Sequence, residues 1–351
     1  MSKIVKYYGY YVHFVIAYMM AFVWLFASKP IIADQSPDPY APYRIVFVHL
    51  GTHLPSFLST AVLQAHLFCP NAEIILIANQ QATENAFLQD FVKVIHAEKI
   101  QKTIEHEDFL RISTLDRNYR DGFWYFTTER LFYLDDLINQ YDLKNTFHME
   151  NDNLIYVDLE ELLPIFTNNY SGIAAPFESD HRGFGNFIFV PNKNSIHTLA
   201  LHLRKHASSG LSEMFLLNSF KVEWGEKYID HLPTIMKEYA EDHGLVNILG
   251  MRCTIDPTLF FKNIDLFQSL FDGCAYGQYL GGIDPRNGSD GPGFINDAAF
   301  FNVSFMNLIW EFDERGRRIP FAIYRDKKFR INNLHVHSKN LNSLSSLNDS
   351  R

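Results

Sequence analysis

The chain has 351 residues, carries 40 acidic against 31 basic side chains for a formal net charge of −9, and is 47% hydrophobic with 15% aromatic residues. That balance excludes a chain that is mostly disordered, collagen-like or of low complexity, and it argues against a protein that grips nucleic acid by neutralising phosphates. Cys69, Cys253 and Cys274, with no CxxC spacing, allow at most one disulfide and exclude a disulfide framework or a zinc ribbon.

Between Lys6 and Lys29 there is no Asp, Glu, Lys or Arg, and Tyr7 to Ser28 is long enough as a helix to cross a hydrocarbon layer of roughly 30 Å. Lys3 and Lys6 ahead of it predict a cytoplasmic N-terminus, with the globular part on the lumenal or extracytoplasmic side. The competing reading is a cleaved signal peptide ending near Ala27 or Ala33, which would leave a secreted protein, although the apolar run exceeds the usual signal core of about 7 to 15 residues. Residues 1–30 are therefore expected to be a membrane anchor or signal segment. Residues 31–43, with DQSPDPYAPY from Asp34 to Tyr43, read as a linker whose prolines remove backbone donors while its acids stay solvated.

The domain is expected over 44–341, with 342–351 as a polar tail. Arg44 to Leu50 (RIVFVHL) reads as a buried strand, Pro55 to Phe68 as a helix, Glu73 to Ala78 (EIILIA) as a second strand, Thr83 to Phe91 as helical, and Val92 to Ile95 as a third strand. Repeated β-α units of this kind predict an α/β domain with a mostly parallel central sheet flanked by helices. Ligands of such sheets bind beyond the carboxyl ends of the strands. This makes Gly51, Thr52 and His53 after the first strand, and Asn79 and Gln80 after the second, candidate nucleotide contacts. No GxGxxG follows the first strand and no GxxxxGK[ST] occurs, so a dinucleotide fingerprint and a P-loop are disfavoured. Gly122 to Gln140 predicts a helix with Arg130 at the flank of its apolar stripe. Short strands follow at Lys144 to His148 and Leu154 to Tyr156.

The stretch between those strands is HMENDNLIY. Glu150 and Asp152 stand two apart at a strand end, so both carboxylates project to one side and can converge on a hard divalent cation. A bare acidic pair of this spacing is most often a solvated turn. Here apolar strand residues enclose it on both sides, and buried carboxylates are costly without a cation or a proton.

This stretch resembles the DxD region of GT-A-fold glycosyltransferases, with Glu150 in place of the first aspartate, behind a helix that bears Arg130 in FTTERLFYL. The resemblance implies a GT-A-like domain in which Glu150 and Asp152 bind Mn²⁺ or Mg²⁺ and the cation bridges the diphosphate of a nucleotide sugar. Further stretches follow in the family's order. Gly183 to Val190 (GFGNFIFV) is similar to the glycine-containing strand after the acidic pair. Glu213, opening EMFLLNSF, matches the acid near the transferred sugar, although an acid in the first turn of a helix is also favoured by the macrodipole. In NLHVHSKNL, His337 matches the late metal-ligating histidine and Lys339 the lysine on the diphosphate; His335 faces the same side in an extended segment.

The Gly-, Asp- and Asn-rich stretch Phe271 to Asp297 is too long for an ordinary turn and reads as the acceptor side of the cleft. Its polar candidates are Gln278, Asp284 and Asp297, together with Asp272, which ends an apolar run and is assigned as a candidate catalytic base. His197, His202 and His206, at helical offsets among Arg204 and Lys205, read as a solvated face. Asn169, Asn287, Asn302 and Asn348 begin N-x-[ST] triplets that matter only in a eukaryotic secretory lumen.

The resemblance thus implies a membrane-anchored, metal-dependent glycosyltransferase of the hexosyltransferase class. Its donor would be a nucleotide sugar, a UDP-sugar by analogy, and its acceptor a glycan, lipid or protein. The alternatives are a non-catalytic carbohydrate-binding or envelope-anchored protein on the same fold, which the glutamate at 150 keeps open, and a sugar nucleotidyltransferase, which a membrane anchor and a late HxH fit poorly.

Overall fold

The structure is a computed structural model and describes residues 36–84, 86 and 88–347. The apolar segment Tyr7 to Ser28 lies outside the described residues, among which no helix is long and apolar enough to cross a membrane.

Strand β1 (Arg44–His49) pairs in parallel with β2 (Glu73–Ala78), and β2 with β3 (Val92–His96). All three are almost wholly buried, because helices cover both faces of the sheet. This is why they read as unbroken apolar runs instead of alternating ones. On the other side β1 pairs in parallel with β4 (Thr146–Met149). The short β5 (Asn153–Ile155) leaves this sheet, and β6 (Ile173–Pro176), β7 (Phe187–Val190) and β8 (Ile229–Leu232) complete it. The seven-stranded order is β3-β2-β1-β4-β7-β6-β8. Only β7 runs antiparallel to its neighbours, so the sheet is mostly parallel, as predicted.

The Ser56–Phe68 and Phe123–Tyr141 helices fall where the apolar spacing puts them. Gly122 caps the second in a left-handed conformation, φ +80°, that a side chain at that position would strain. The predicted helix over Thr83 to Phe91 is displaced. A single turn forms at Gln80–Thr83, where the Thr83 hydroxyl donates back to Gln80 O (2.8 Å), and the described residues beyond it are turn and coil. Phe166 fills the core between sheet and helices, its ring 5.1 Å from Phe147 and 4.8 Å from Phe189.

Four further strands had no sequence signal assigned to them. A second sheet, β10 (Asn307–Phe312), β11 (Arg318–Tyr324), β12 (Lys327–Ile331) and β9 (Ser269–Leu270), leads into β13 (Asn333–His335), which pairs antiparallel with β5. The register sets His335 opposite Asn153. Buried asparagines hold this junction. Asn153 Nδ2 donates to Asn186 O (2.7 Å), Asn333 Nδ2 to Asn153 Oδ1 (3.1 Å), and Asn186 Nδ2 to Asp272 O (2.7 Å).

Two boundary expectations change. Tyr43, at the end of the expected linker, is buried, and its hydroxyl donates to Asp158 (3.2 Å). The described part of the expected tail packs on the domain, where Leu344 O accepts from the Tyr156 hydroxyl (2.8 Å) and Ser346 N donates to Gln64 (2.8 Å). All three cysteines are free.

Under the sheet, fully buried His106 bridges two helices, with Nδ1 2.5 Å from Asp136 and Nε2 3.4 Å from Glu129. Burial opposes its protonation, but the two carboxylates raise its pKa above 6.5. A raised histidine pKa contributes stability that is fully present below the unfolded value and lost as pH rises through the folded one. His106→Ala is expected to cost about 3–5 kcal/mol at pH 6, because it strands two buried carboxylates, and measurably less at pH 8. Chemical denaturation of both proteins at the two pH values checks this; an equal cost at both would show that His106 is neutral when folded.

Candidate active site

The acidic pair sits in the turn between β4 and β5, one step beyond the strand end expected from the sequence. Glu150 N donates to Asn186 O (2.9 Å), Asn153 N to Glu150 O (3.1 Å), and Asn151 Nδ2 to Val48 O (3.2 Å), which locks the turn to the end of β1. Both carboxylates converge on one imidazole. His335 Nε2 lies 3.2 Å from Glu150 Oε2 and 3.4 Å from Asp152 Oδ2. One ligand atom from each of the three residues falls within a sphere that suits a single cation.

His335 therefore takes the place assigned to His337. The β13–β5 register brings His335 beside the acids, Val336 N donates to Asp152 O (2.9 Å), and the chain then turns, with Lys339 N donating to Val336 O (3.0 Å). That turn swings His337 towards Gln278, whose Nε2 lies 2.8 Å from His337 Nδ1. Burial, followed by the charge of His335, pushes the His337 pKa down to about 3. HxH was visible in the sequence and the two rings do stay in contact, His337 Nε2 lying 3.2 Å from His335 Nδ1, but only His335 reaches the acids.

The orientation of His335 is set from behind. Its Nδ1 is 2.8 Å from Gly273 O, which has only lone pairs to offer, so Nδ1 carries the hydrogen and Nε2 faces the carboxylates. Asp272 holds the same segment. Its Oδ2 accepts from His335 N (2.8 Å) and Gly277 N (2.9 Å), and its Oδ1 from Tyr276 N (3.0 Å). Gly277 allows this approach, since a Cβ there would lie 2.1 Å from His335 O. The catalytic assignment of Asp272 is thereby overturned. It is fully buried, its oxygens are taken by backbone donors, and it does not line the cleft. Burial and neighbouring Glu178 push its pKa up to about 8 against the pull of those donors. Glu178, which no sequence signal marked, accepts from the amides of Gly273 (2.9 Å), Cys274 (3.0 Å) and Ala275 (3.1 Å) and so shapes the turn that presents Gly273 O.

Arg130 stands where the sequence put it. Its guanidinium pairs with Glu150 and lies 3.5 Å from Glu213, whose other oxygen accepts from the Thr127 hydroxyl (2.8 Å). Gly185 leaves room for the guanidinium, since a Cβ there would come 3.1 Å from it. Burial opposes the charge on Arg130, but Glu150 and Glu213 keep its pKa raised; burial raises that of Glu213. Lys339 pairs with Asp152 and lies 5.7 Å from the Phe57 ring centroid.

These groups line a cleft of about 660 Å³. Gln278 and Asp284 line it as expected. Asp297 does not; it is exposed, and its carbonyl accepts from Asn247 (2.7 Å). Gly51, Thr52 and Asn79 are also not among the lining residues. Asn79 accepts from Gly51 N (2.8 Å) and so braces one loop against the other, while His49, Leu50 and Phe57 form the wall. Arg286, in the DPRNG run, is a cleft cation that the sequence reading passed over; it pairs with Asp284 (2.7 Å).

No family model and no curated protein matches the chain. Solved structures similar to it include the galactosyltransferase LgtC in complex with donor and acceptor sugar analogues, 13% identical over 54% of this chain and 73% of that one, TM-score 0.37. Mouse xyloside xylosyltransferase 1 is 9% identical over 57% and 90%, TM-score 0.37. A putative glucose-1-phosphate thymidylyltransferase from Bacillus anthracis is 11% identical over 54% and 87%, TM-score 0.34. Likenesses this slight do not establish a family, and the chemistry of the cleft rests on its own residues.

Proposed function

We propose that the protein is a metal-dependent glycosyltransferase that uses a nucleotide-diphosphate sugar, a UDP-sugar by preference, as donor. The observation that carries this reading is the convergence of Glu150, Asp152 and the Nε2 of His335 at the floor of a cleft that also holds Arg130 and Lys339. The donor set fits a divalent cation. Two carboxylates and one imidazole suit Mn²⁺ better than Ca²⁺, which favours oxygen alone, and the Nδ1–H bond to Gly273 O already aims the other ring nitrogen of His335 at the acids. When bound, such a cation supplies neutralisation of the charge that develops on a nucleoside diphosphate leaving group.

The chain's own residues do the rest. Lys339, held on Asp152 in the metal-free protein, is close enough to turn onto a phosphate oxygen, and Arg130 fixes Glu150 and Glu213 in one orientation. Glu213 faces the donor sugar, and Gln278 and Asp284 lie on the acceptor side. Trp124 and Phe57 offer apolar lining that excludes water from the reacting bond. Membrane anchorage through Tyr7 to Ser28, with the domain on the lumenal or extracytoplasmic side, belongs to this proposal and rests on the sequence.

The test is a panel of nucleotide sugars incubated with the full-length protein in detergent. Mn²⁺-stimulated release of nucleoside diphosphate from one of them, abolished by a chelator, is the expected result. Binding without release would favour the non-catalytic carbohydrate-binding alternative, and pyrophosphate release from a sugar phosphate and a nucleoside triphosphate would mark a nucleotidyltransferase.

A further inference from the structure

The histidines that read as a solvated face do not form one. The last turn of the Lys193–Lys205 helix holds His202, and His206 caps its end; Glu223, near the end of the Glu213–Trp224 helix, faces both. His202 is fully buried. Its Nε2 lies 2.8 Å from the Ser219 hydroxyl, and that hydroxyl donates its one hydrogen to Leu216 O (3.0 Å). Leu216 O can only accept, so the arrangement that satisfies all three groups has the Ser219 oxygen accepting from His202, with the ring hydrogen on Nε2 and the lone pair on Nδ1. Nδ1 has no hydrogen-bond partner.

That lone pair points at another. Glu223 Oε2 lies 3.6 Å from His202 Nδ1 and 3.5 Å from His206 Nε2, and the two rings are 4.6 Å apart between centroids. The His202 lone pair is buried, and facing a carboxylate with no donor between them it is costly unless a cation lies there. The spacing suits one. Ligands about 2.0–2.1 Å from a tetrahedral metal stand about 3.4 Å apart. The outer oxygen of Glu223 is held by Lys205 (2.6 Å), which orients the carboxylate and leaves Oε2 for the histidines.

We propose that His202, His206 and Glu223 bind a zinc ion, with water as the fourth ligand on the solvent side. Two imidazoles and one carboxylate form a borderline donor set that favours Zn²⁺ over Mg²⁺ or Ca²⁺. The buried Nε2–H of His202, bonded to Ser219, is the outer contact that fixes the ligand's orientation. The ion joins the ends of two helices, one of which begins at Glu213 in the cleft.

The test uses full-length protein carrying Asp152→Asn, so that the carboxylate–histidine site of the cleft is disabled and the outcome is independent of the proposed transfer activity. Metal-stripped protein is titrated with Zn²⁺ against a chromophoric chelator, and with Co²⁺ while its visible absorption is recorded. One tight equivalent of Zn²⁺ and an intense tetrahedral Co²⁺ spectrum are expected, with affinity falling by roughly tenfold or more when His206→Ala or Glu223→Gln is added. Zn²⁺ should raise the melting temperature of the parent and not of these variants. Both substituted residues reach solvent, so the variants should fold, as circular dichroism can confirm. No stoichiometric zinc in the parent, or binding that survives both substitutions, overturns the assignment.

Discussion

Asp152→Asn is expected to reduce Mn²⁺-stimulated donor cleavage by on the order of 10³-fold, the effect of losing about 4 kcal/mol of charge stabilisation in the leaving group's site. Asparagine keeps the shape but removes the charge and one of the oxygens that face His335. Stability moves in the same direction. Burial alone would raise the Asp152 pKa, yet Lys339 and His335 hold its carboxyl well below the usual range. A depressed carboxyl pKa contributes stability that is present above the unfolded value and lost as pH falls through the folded one. Mutual repulsion of the acids would predict a more stable variant. With Lys339 and His335 already in place, the metal-free variant should instead melt lower at pH 7, and the difference should shrink on strong acidification. Steady-state rates and melting curves of the two proteins check both halves.

Arg130→Met is expected to be among the most damaging single changes for stability. The guanidinium is buried between Glu150 and Glu213, and methionine would leave buried Glu213 with no cation and part-buried Glu150 with His335 alone. Breaking a buried pair from one side costs about 3–5 kcal/mol, which for a domain of this size is a melting shift on the order of 10 °C. Burial already raises the Glu213 pKa, and without Arg130 it should rise further. Mn²⁺ beside Glu150 should restore part of the loss, and restore more in Arg130→Met than in wild type. Arg130→Lys should fall between the two, because an ammonium cannot serve both carboxylates with a planar fork. Melting curves with and without Mn²⁺ check this; an Arg130→Met protein as stable as wild type would show that the two acids do not need the charge.

The parallel half of the domain was legible because each of its determinants is local. Apolar runs bounded by turn residues mark β1, β2 and β3, and apolar spacing of 3.6 marks the Ser56–Phe68 and Phe123–Tyr141 helices. Glu150 and Asp152 stood out for a local reason too, since a pair of acids inside an apolar run conflicts with burial unless something compensates it, whereas Arg130 was singled out by the resemblance. The β10–β11 hairpin was missed although Asp313 to Gly316 forms its turn, with Gly316 at φ +72°, and although its half-buried strands NLIWEF and RIPFAIY carry one charge each.

What the sequence could not supply are choices made by distant contacts. Whether His335 or His337 meets the acids depends on a turn that begins after the β13–β5 pairing ends. Asp272 follows an apolar run, as a cleft-floor residue would, but the backbone of residues 276, 277 and 335 closes over it. Gly51 and Asn79 do lie past the strand ends where ligands of such sheets bind, yet they are spent on each other. His202 looks like its neighbours on the helix until the Glu213–Trp224 helix covers it.

Calorimetry of UDP binding with and without Mn²⁺, on wild type and Asp152→Asn, tests the metal-dependent cleft most directly. Tight binding by wild type only when Mn²⁺ is present, and at least about tenfold weaker binding by Asp152→Asn, is the predicted result. UDP binding that is independent of Mn²⁺ and unchanged by Asp152→Asn would contradict it, and would leave Glu150, Asp152 and His335 as an ion-paired turn.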